Sequence, residues 1–126
     1  CRGNFRSTWF SSGGYEPVAK TLFGHCRVDG FFLEYDSDRA GDFTPLRFIK
    51  DQKVVLGLIT SKSGDLEDKG EVIARIKEAS QYVPLEQLCL SPQCGFSSTE
   101  EGNILTIEAQ WDKLKLIDEI VHEVWG

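Results

Sequence analysis

Two cysteines and one glutamate stand where a metal-binding protein could place its ligands. Cys1 opens the chain, Glu34 follows the apolar run 31–33, and Cys94 lies in the sequence Ser-Pro-Gln-Cys-Gly-Phe. If parallel strands end at these three points, the residues share the sheet edge where α/β proteins gather their functional groups. Thiolates combined with one carboxylate oxygen are typical zinc ligands. The residue types therefore make Cys1, Glu34 and Cys94 candidate zinc ligands.

A structural role for the same residues stays open. They are far apart in sequence and lack the paired short cysteine spacings of zinc ribbons and fingers. Cys94 can be a loop or core thiol, since free cysteine packs as a small hydrophobic residue. A carboxylate that ends a buried apolar strand needs a partner, so Glu34 can instead form a salt bridge with Arg39 or Arg6.

The loop after Glu34 is acidic, with Asp36, Asp38 and Asp42 close together in sequence. Such a run is typical of a solvated loop. The functional interpretation is that one carboxylate binds a cationic substrate group, such as an α-ammonium. We therefore name Glu34 and Asp36 as candidate substrate-binding residues.

The elements that position these residues are predicted from apolar runs and from three- and four-residue apolar spacings. In order they are helix 15–23, strand 31–35, brief helix 44–49, strand 54–60, helix 67–82, strand 87–90 and helix 107–125. The strands lack strict alternation, as is typical of parallel strands covered on both faces. The pattern predicts an α/β fold of right-handed βαβ units with outer helices. The last helix is expected to bury one stripe, formed by Leu114, Ile117, Val121 and Val124.

The length of 126 residues bounds the architecture. A closed (β/α)8 barrel needs about 250 residues. The chain can therefore be a small doubly wound domain or the C-terminal half of a TIM barrel, with about four βα units. A start on Cys1 without a preceding strand favours the half barrel, with residues 1–126 as a single partial domain.

Composition narrows the function. The chain has 14 Lys and Arg against 20 Asp and Glu, a formal charge of −6, which argues against binding to nucleic acid or anionic membranes. No apolar run approaches the roughly 20 residues that span a bilayer. The N-terminal residues Cys-Arg-Gly-Asn-Phe-Arg do not have the features of a signal peptide, so we expect a cytoplasmic protein. The sequence also lacks a nucleophile elbow, a phosphate loop and a dinucleotide fingerprint.

The motifs resemble those of the cobalamin-independent methionine synthases, in their C-terminal catalytic domain and most closely in their short single-domain homologues. The matching segments are Cys1 in Cys-Arg-Gly-Asn, Glu34 in Phe-Leu-Glu-Tyr-Asp and Cys94 in Ser-Pro-Gln-Cys-Gly-Phe. In the family these positions belong to a zinc site. They occur here in the family's order, and the resemblance extends to the Glu-Val-Trp-Gly at the chain end.

The resemblance implies a (β/α)8 barrel and an S-methyltransferase. Zinc would bind the thiol of homocysteine, lower its pKa and present a thiolate to a methyl donor, with methionine as product. The other strands would come from the rest of its own barrel or from a second copy. A half barrel by itself is expected to be inactive.

Two positions depart from the family pattern. The family's histidine ligand would lie two residues before Cys1, so the chain holds three of four ligands. In the loop after Ile59 the longer enzymes carry a proton-donating histidine, and here we align Lys62 with it. The methyl donor therefore stays open between a folate, another methylated compound and a carrier protein.

Two other functions compete with this one. The chain can be a non-catalytic α/β binding module with incidental cysteines. A weaker alternative is a redox protein that uses Cys89 and Cys94, although their spacing differs from the usual Cys-Xaa-Xaa-Cys.

Overall fold

The computed structural model describes residues 2–97 and 99–126, which form alternating strands and helices. The elements are β1 (Asn4–Phe5), β2 (Thr8–Trp9), α1 (Glu16–His25), β3 (Gly30–Glu34), β4 (Lys53–Ile59), α2 (Lys69–Ala79), β5 (Leu88–Pro92) and α3 (Ile107–Trp125). Short 3-10 helices at Asp38–Ala40, Thr44–Phe48 and Leu85–Gln87 connect them. The predicted α/β class is confirmed, and the expected brief helix at 44–49 is a 3-10 helix.

The three main strands form one parallel sheet in the order β3-β4-β5. Phe31 pairs with Val54, and Val54 pairs with Leu88, so the strands start level with one another. The prediction of three parallel strands is confirmed, with small shifts at their ends. A fourth strand was expected to end at Cys1, which lies outside the described residues.

The helices cover one face of this sheet. Phe31 on β3 stacks edge-on against Phe23 of α1, with ring centroids 5.1 Å apart. Leu56 on β4 and Ile76 on α2 are fully buried in the same core. This packing explains why the odd-numbered residues of β3 and the even-numbered residues of β4 are apolar.

The opposite face of the sheet is largely open, which differs from the expectation of cover on both faces. Phe32, Val55 and Cys89 lie side by side across the three strands. Phe32 is 81% exposed, and Val55 and Cys89 are half-buried. Glu34 lies two residues beyond Phe32 and shares this face, since side chains alternate along a strand.

The long helix α3 starts where Thr106 accepts a hydrogen bond from the Ala109 amide. Its fully buried residues are Lys113 and Ile120, whereas the four residues of the predicted stripe are half-buried, and two of them, Ile117 and Val124, pack against the core. The buried Lys113 ammonium is paired with Glu67, which lies in the loop before α2 and is partly exposed. Within the part of the chain that the structure describes, no helix combines the length and apolar content needed to cross a bilayer.

The antiparallel hairpin β1–β2 was not predicted from the sequence. Its turn residues Arg6 and Ser7 have φ values of 46° and 64°. Two positive φ angles in a two-residue turn usually require Asn-Gly or Asp-Gly. Arg-Ser carries no such signal, and the strands are too short to show a pattern.

We expect Leu56→Ala to lower the free energy of unfolding by about 2–5 kcal/mol, because the truncation leaves a cavity in the central strand. Urea denaturation monitored by circular dichroism measures the change. Leu66→Ala, at an exposed leucine in the loop before α2, is the matched control and should change stability by less than about 0.5 kcal/mol. Equal losses in the two variants would contradict this assignment of the core.

Candidate functional site

The carboxyl ends of the three strands bring most of the sequence-predicted site residues together. Glu34 ends β3 and Asp36 follows it, Lys62 lies in the loop after β4, and Cys94 follows β5. The Lys62 Nζ lies 2.5 Å from Asp36 Oδ2. The Gln93 side chain donates a hydrogen bond to Glu34, and Cys94 is the next residue along the chain. Cys1, the remaining predicted ligand, lies outside the described residues.

Glu34 forms a buried two-point salt bridge with Arg39. The glutamate is only 2% exposed, and its Oε1 accepts from Arg39 Nε at 2.6 Å while its Oε2 accepts from Nη2 at 3.1 Å. The predicted alternative of a salt bridge with Arg39 is therefore confirmed. Burial alone would raise the pKa of Glu34, but the hydrogen bonds and charge of Arg39, with Lys62 and Arg2, lower it below its usual range. The carboxylate is thus held in its ionised form.

Two further groups complete the surroundings of this carboxylate. Gln93 Nε2 donates to Glu34 Oε2 at 2.8 Å. The Arg2 amide donates to the same oxygen over a longer 3.4 Å, and the Arg2 guanidinium lies 3.7 Å from Oε1. The Glu34 amide donates to the Tyr15 hydroxyl at 2.8 Å, which fixes the end of β3.

Arg39 also fastens the N-terminal segment to the sheet. Its Nη1 donates to the carbonyl oxygens of Gly3 and Ser11, at 3.2 and 3.1 Å. The guanidinium also lies over the Trp9 ring, 5.1 Å from its centroid. A single buried arginine therefore orients the candidate ligand Glu34 and holds the segment that begins just after Cys1.

Cys94 is half-buried beside these charges. Burial raises the pKa of its thiol, and the negative charge of Glu34 adds to the increase. Lys62 and the Gln93 amide act in the opposite direction, yet the net pKa stays above its ordinary value. The thiol is therefore protonated near neutral pH, and a bound cation would be needed to make it a thiolate.

Asp36 and Lys62 form the second charged pair of the site. Both side chains are almost fully buried, with Asp36 Oδ2 engaged by Lys62. The other carboxylate oxygen, Oδ1, is buried and has no hydrogen-bond partner among the described residues. The Lys62 amide donates to Thr60 Oγ1 at 3.2 Å, which fixes the backbone of the loop.

Among the described candidate ligands, one carboxylate and one thiol could bind zinc, and the carboxylate of Glu34 is already engaged by several donors. A carboxylate has about four acceptor positions. Three donors within 3.1 Å occupy most of the acceptor positions of Glu34. The Arg2 amide makes the longest and weakest of its hydrogen bonds. Arg39 and Gln93 are the kind of outer partners that orient a ligating carboxylate, and Cys94 supplies a soft donor.

A complete ligand set is not formed within the described residues. Over residues 2–97 and 99–126, no three His, Cys, Asp or Glu side chains are arranged to hold a metal ion. Because Cys1 is outside these ranges, the three-ligand set of Cys1, Glu34 and Cys94 stays a prediction. The roles of Asp36 and Lys62 likewise stay predictions.

Gln93, Arg2 and Gly57 were missed by the sequence reasoning. Glutamine and arginine are not metal ligands, so a search by ligand type passes over them even inside a quoted motif. Gly57 carried the only usable signal, since a glycine inside a strand often marks a close backbone approach. A Cβ at Gly57 would lie 2.9 Å from the Leu33 carbonyl oxygen and 3.3 Å from Gln93 Cα, so glycine lets the end of β5 approach Glu34.

We expect Arg39→Ala to lower the free energy of unfolding by about 3–5 kcal/mol, because it leaves the Glu34 carboxylate buried without its main partner. Arg47→Ala, which removes an exposed ion pair with Glu16, is the control and should leave stability nearly unchanged. Denaturant unfolding of both variants makes the comparison. A small loss in Arg39→Ala would show that water or another cation compensates Glu34.

The known proteins that the chain matches are larger than the chain itself. No protein-family model matches it. It is 61% identical over 127 residues to the uncharacterized protein YxjH of Bacillus subtilis (strain 168), and 59% identical to the uncharacterized protein YxjG of the same organism. Each match covers 99% of this chain and 34% of the relative, so the chain spans about a third of the length of the curated relatives that it matches.

Solved structures show the same relation. A proposed vitamin-B12 independent methionine synthase from Listeria monocytogenes is 50% identical, with a TM-score of 0.72 over 90% of this chain and 33% of that chain. A B12-independent methionine synthase from Shewanella sp. W3-18-1, solved in complex with selenomethionine, shares the fold at 24% identity and a TM-score of 0.70, over 86% of this chain and 30% of its own. The resemblance to the cobalamin-independent methionine synthase family that the motifs indicate is thus confirmed, over a stretch equal to about a third of these larger proteins.

Proposed function

We propose that the chain is the C-terminal half of a (β/α)8 barrel and carries part of the zinc site of a methyltransferase. The reaction would move a methyl group to the thiol of homocysteine and form methionine. One observation carries the proposal: Glu34, the Gln93 side chain that donates to it and the adjacent residue Cys94 lie at the carboxyl end of a parallel sheet, together with the Asp36–Lys62 pair. Catalytic groups of α/β barrels come from this end of several strands.

The open face of the sheet supports the barrel. Phe32, Val55 and Cys89 form an apolar row in which Phe32 is largely exposed and the other two are half-buried. In a closed barrel such residues fill the interior in layers. The strands that complete the barrel would come from the rest of its own chain or from a second copy. A cytoplasmic location of the protein also stays a prediction.

The chemistry assigns a role to each residue. Cys94 and Glu34 would hold zinc together with Cys1, and zinc would supply the positive charge that keeps the bound substrate thiol deprotonated. Arg39 and Gln93 orient the Glu34 carboxylate through their hydrogen bonds. The new sulfur–carbon bond forms as the methyl carbon leaves its donor, whose bonding electron pair stays with the donor.

Asp36 and Lys62 would serve the two ends of this transfer. The buried Asp36 Oδ1 is an acceptor suited to the α-ammonium of an amino-acid thiol. Lys62, an ammonium held on Asp36, would return a proton to the donor group as it leaves. The donor itself stays open between a folate, another methylated compound and a carrier protein.

We expect the intact protein to bind about one zinc per chain and Cys94→Ser to lose it. Cys89→Ser is the matched control, because Cys89 lies within β5 on the open face, and it should retain the metal. Zinc is quantified by elemental analysis after dialysis, with and without homocysteine. Absence of zinc from the unsubstituted protein, or equal zinc content in both variants, would favour a non-catalytic α/β binding module.

The barrel has its own test at Phe32. If this ring fills a barrel interior, Phe32→Ala in the intact protein should lower the free energy of unfolding by about 3–5 kcal/mol. If the face is open to water, the loss should be close to that of Val18→Ala, at an exposed position of α1. Equal small losses in the two variants would contradict the half-barrel proposal.

A further inference from the structure

A buried lysine far from the candidate ligands is connected to the site by a chain of polar contacts. Lys113 on α3 is 0% exposed. Its Nζ donates to the Asp65 carbonyl at 2.6 Å and to both Glu67 carboxylate oxygens, at 3.1 and 3.0 Å. The three donors of the ammonium are therefore all directed at the loop between β4 and α2.

Glu67 continues the connection toward the site. Its Oε1 accepts from the Thr60 amide at 2.8 Å, at the point where β4 ends. Thr60 Oγ1 in turn accepts from the Lys62 amide at 3.2 Å. Lys62 Nζ then lies on Asp36. Four successive contacts thus join α3 to the loop after β3.

Packing alone does not require this arrangement. A buried lysine loses hydration and rotamer freedom, and replacement of a buried ion pair by apolar residues is often neutral or stabilising. Lys113 lies on the same buried face of α3 as Ile120, so an apolar side chain would be compatible with helix packing. What an apolar residue could not do is bind the Asp65 carbonyl and the Glu67 carboxylate at once.

We propose that Lys113 and Glu67 are positioning residues that fix the 60–65 loop so that the Lys62 ammonium rests on Asp36. The inference deepens the proposed function, since it rests on Lys62 as the proton donor of that site. Without the Lys113 contact, the Glu67 carboxylate is released to solvent and Thr60 loses its fixed acceptor. Lys62 then leaves Asp36 for part of the time.

The test is the rate at which an acylating reagent modifies Lys62 in the intact protein, measured by peptide mass spectrometry. We expect Lys113→Met to raise this rate about tenfold, because local opening becomes easier when a buried charge pair is lost. Lys69→Met, which removes an exposed ion pair with Glu123 near the other end of α3, is the matched control and should leave Lys62 unchanged. Lys113→Arg should restore most of the protection.

A direct release of Lys62 separates positioning from general loosening. Asp36→Asn removes the partner of Lys62, and adding Lys113→Met to it should raise the rate little further. Additive effects, or an unchanged Lys62 rate in folded Lys113→Met, would overturn the proposal. If Lys113→Met does not fold, the modification rate of Lys62 is measured in Glu67→Gln instead. This substitution keeps an acceptor for the Thr60 amide but removes the charge that holds Lys113. Faster modification of Lys62 would support the proposal, and an unchanged rate would overturn it.

The labelling test and the zinc test of the proposed function can fail separately. Lys62 labelling requires neither zinc nor substrate, whereas zinc content is measured on the unsubstituted protein. A protein without zinc in which Lys113→Met exposes Lys62 would retain the positioning network and lose the methyltransferase proposal. A protein that binds zinc but in which Lys113→Met does not expose Lys62 would retain the zinc site. Lys113 and Glu67 would then not be positioning residues of that site.

Discussion

The site depends on one constraint, which is that the ionised Glu34 carboxylate is buried at the carboxyl end of the sheet. A buried charge of this kind is tolerated only when several donors compensate it. Arg39 supplies two, Gln93 one and the Arg2 backbone a weaker fourth. These donors come from the N-terminal segment, the loop after β3 and the loop after β5, so compensating one charge brings three parts of the chain together.

The requirements of burial, for apolar side chains as well as for charges, decide which parts of the structure could be predicted from the sequence. The strands and helices were predictable because their apolar residues repeat at the spacings that burial demands. Glu34 was predictable as an unusual residue, and so was its partner Arg39, because a carboxylate at the end of an apolar strand must be neutralised nearby. Both inferences use only local sequence and the high cost of an unpaired charge.

Other features depend on contacts between distant residues and were not predictable. Gln93 reaches Glu34 because Gly57, on the strand between them, has no side chain. Lys113 lies on the buried face of α3, where it pairs with Glu67. The apolar periodicity of the helix cannot predict a buried lysine, because its partner is distant in sequence. In the β1–β2 turn, Arg6 and Ser7 have positive φ angles, which neither residue type prefers. Tertiary contacts must therefore stabilise the turn, such as the hydrogen bond that the Ile104 amide donates to Ser7 Oγ.

The balance of charge around Glu34 also bears on how a metal could bind there. Arg2, Arg39 and Lys62 bring three positive charges to the two carboxylates of Glu34 and Asp36, so this cluster is already net positive. A zinc ion would add two more charges, and Glu34 could not offset them because Arg39 already neutralises it. The compensation must therefore come from thiolates, among them Cys94, whose pKa burial holds above its ordinary value. Under the proposed function, metal binding and thiol deprotonation at Cys94 are consequently one coupled event, whereas Glu34 contributes an oxygen ligand whose charge Arg39 already offsets.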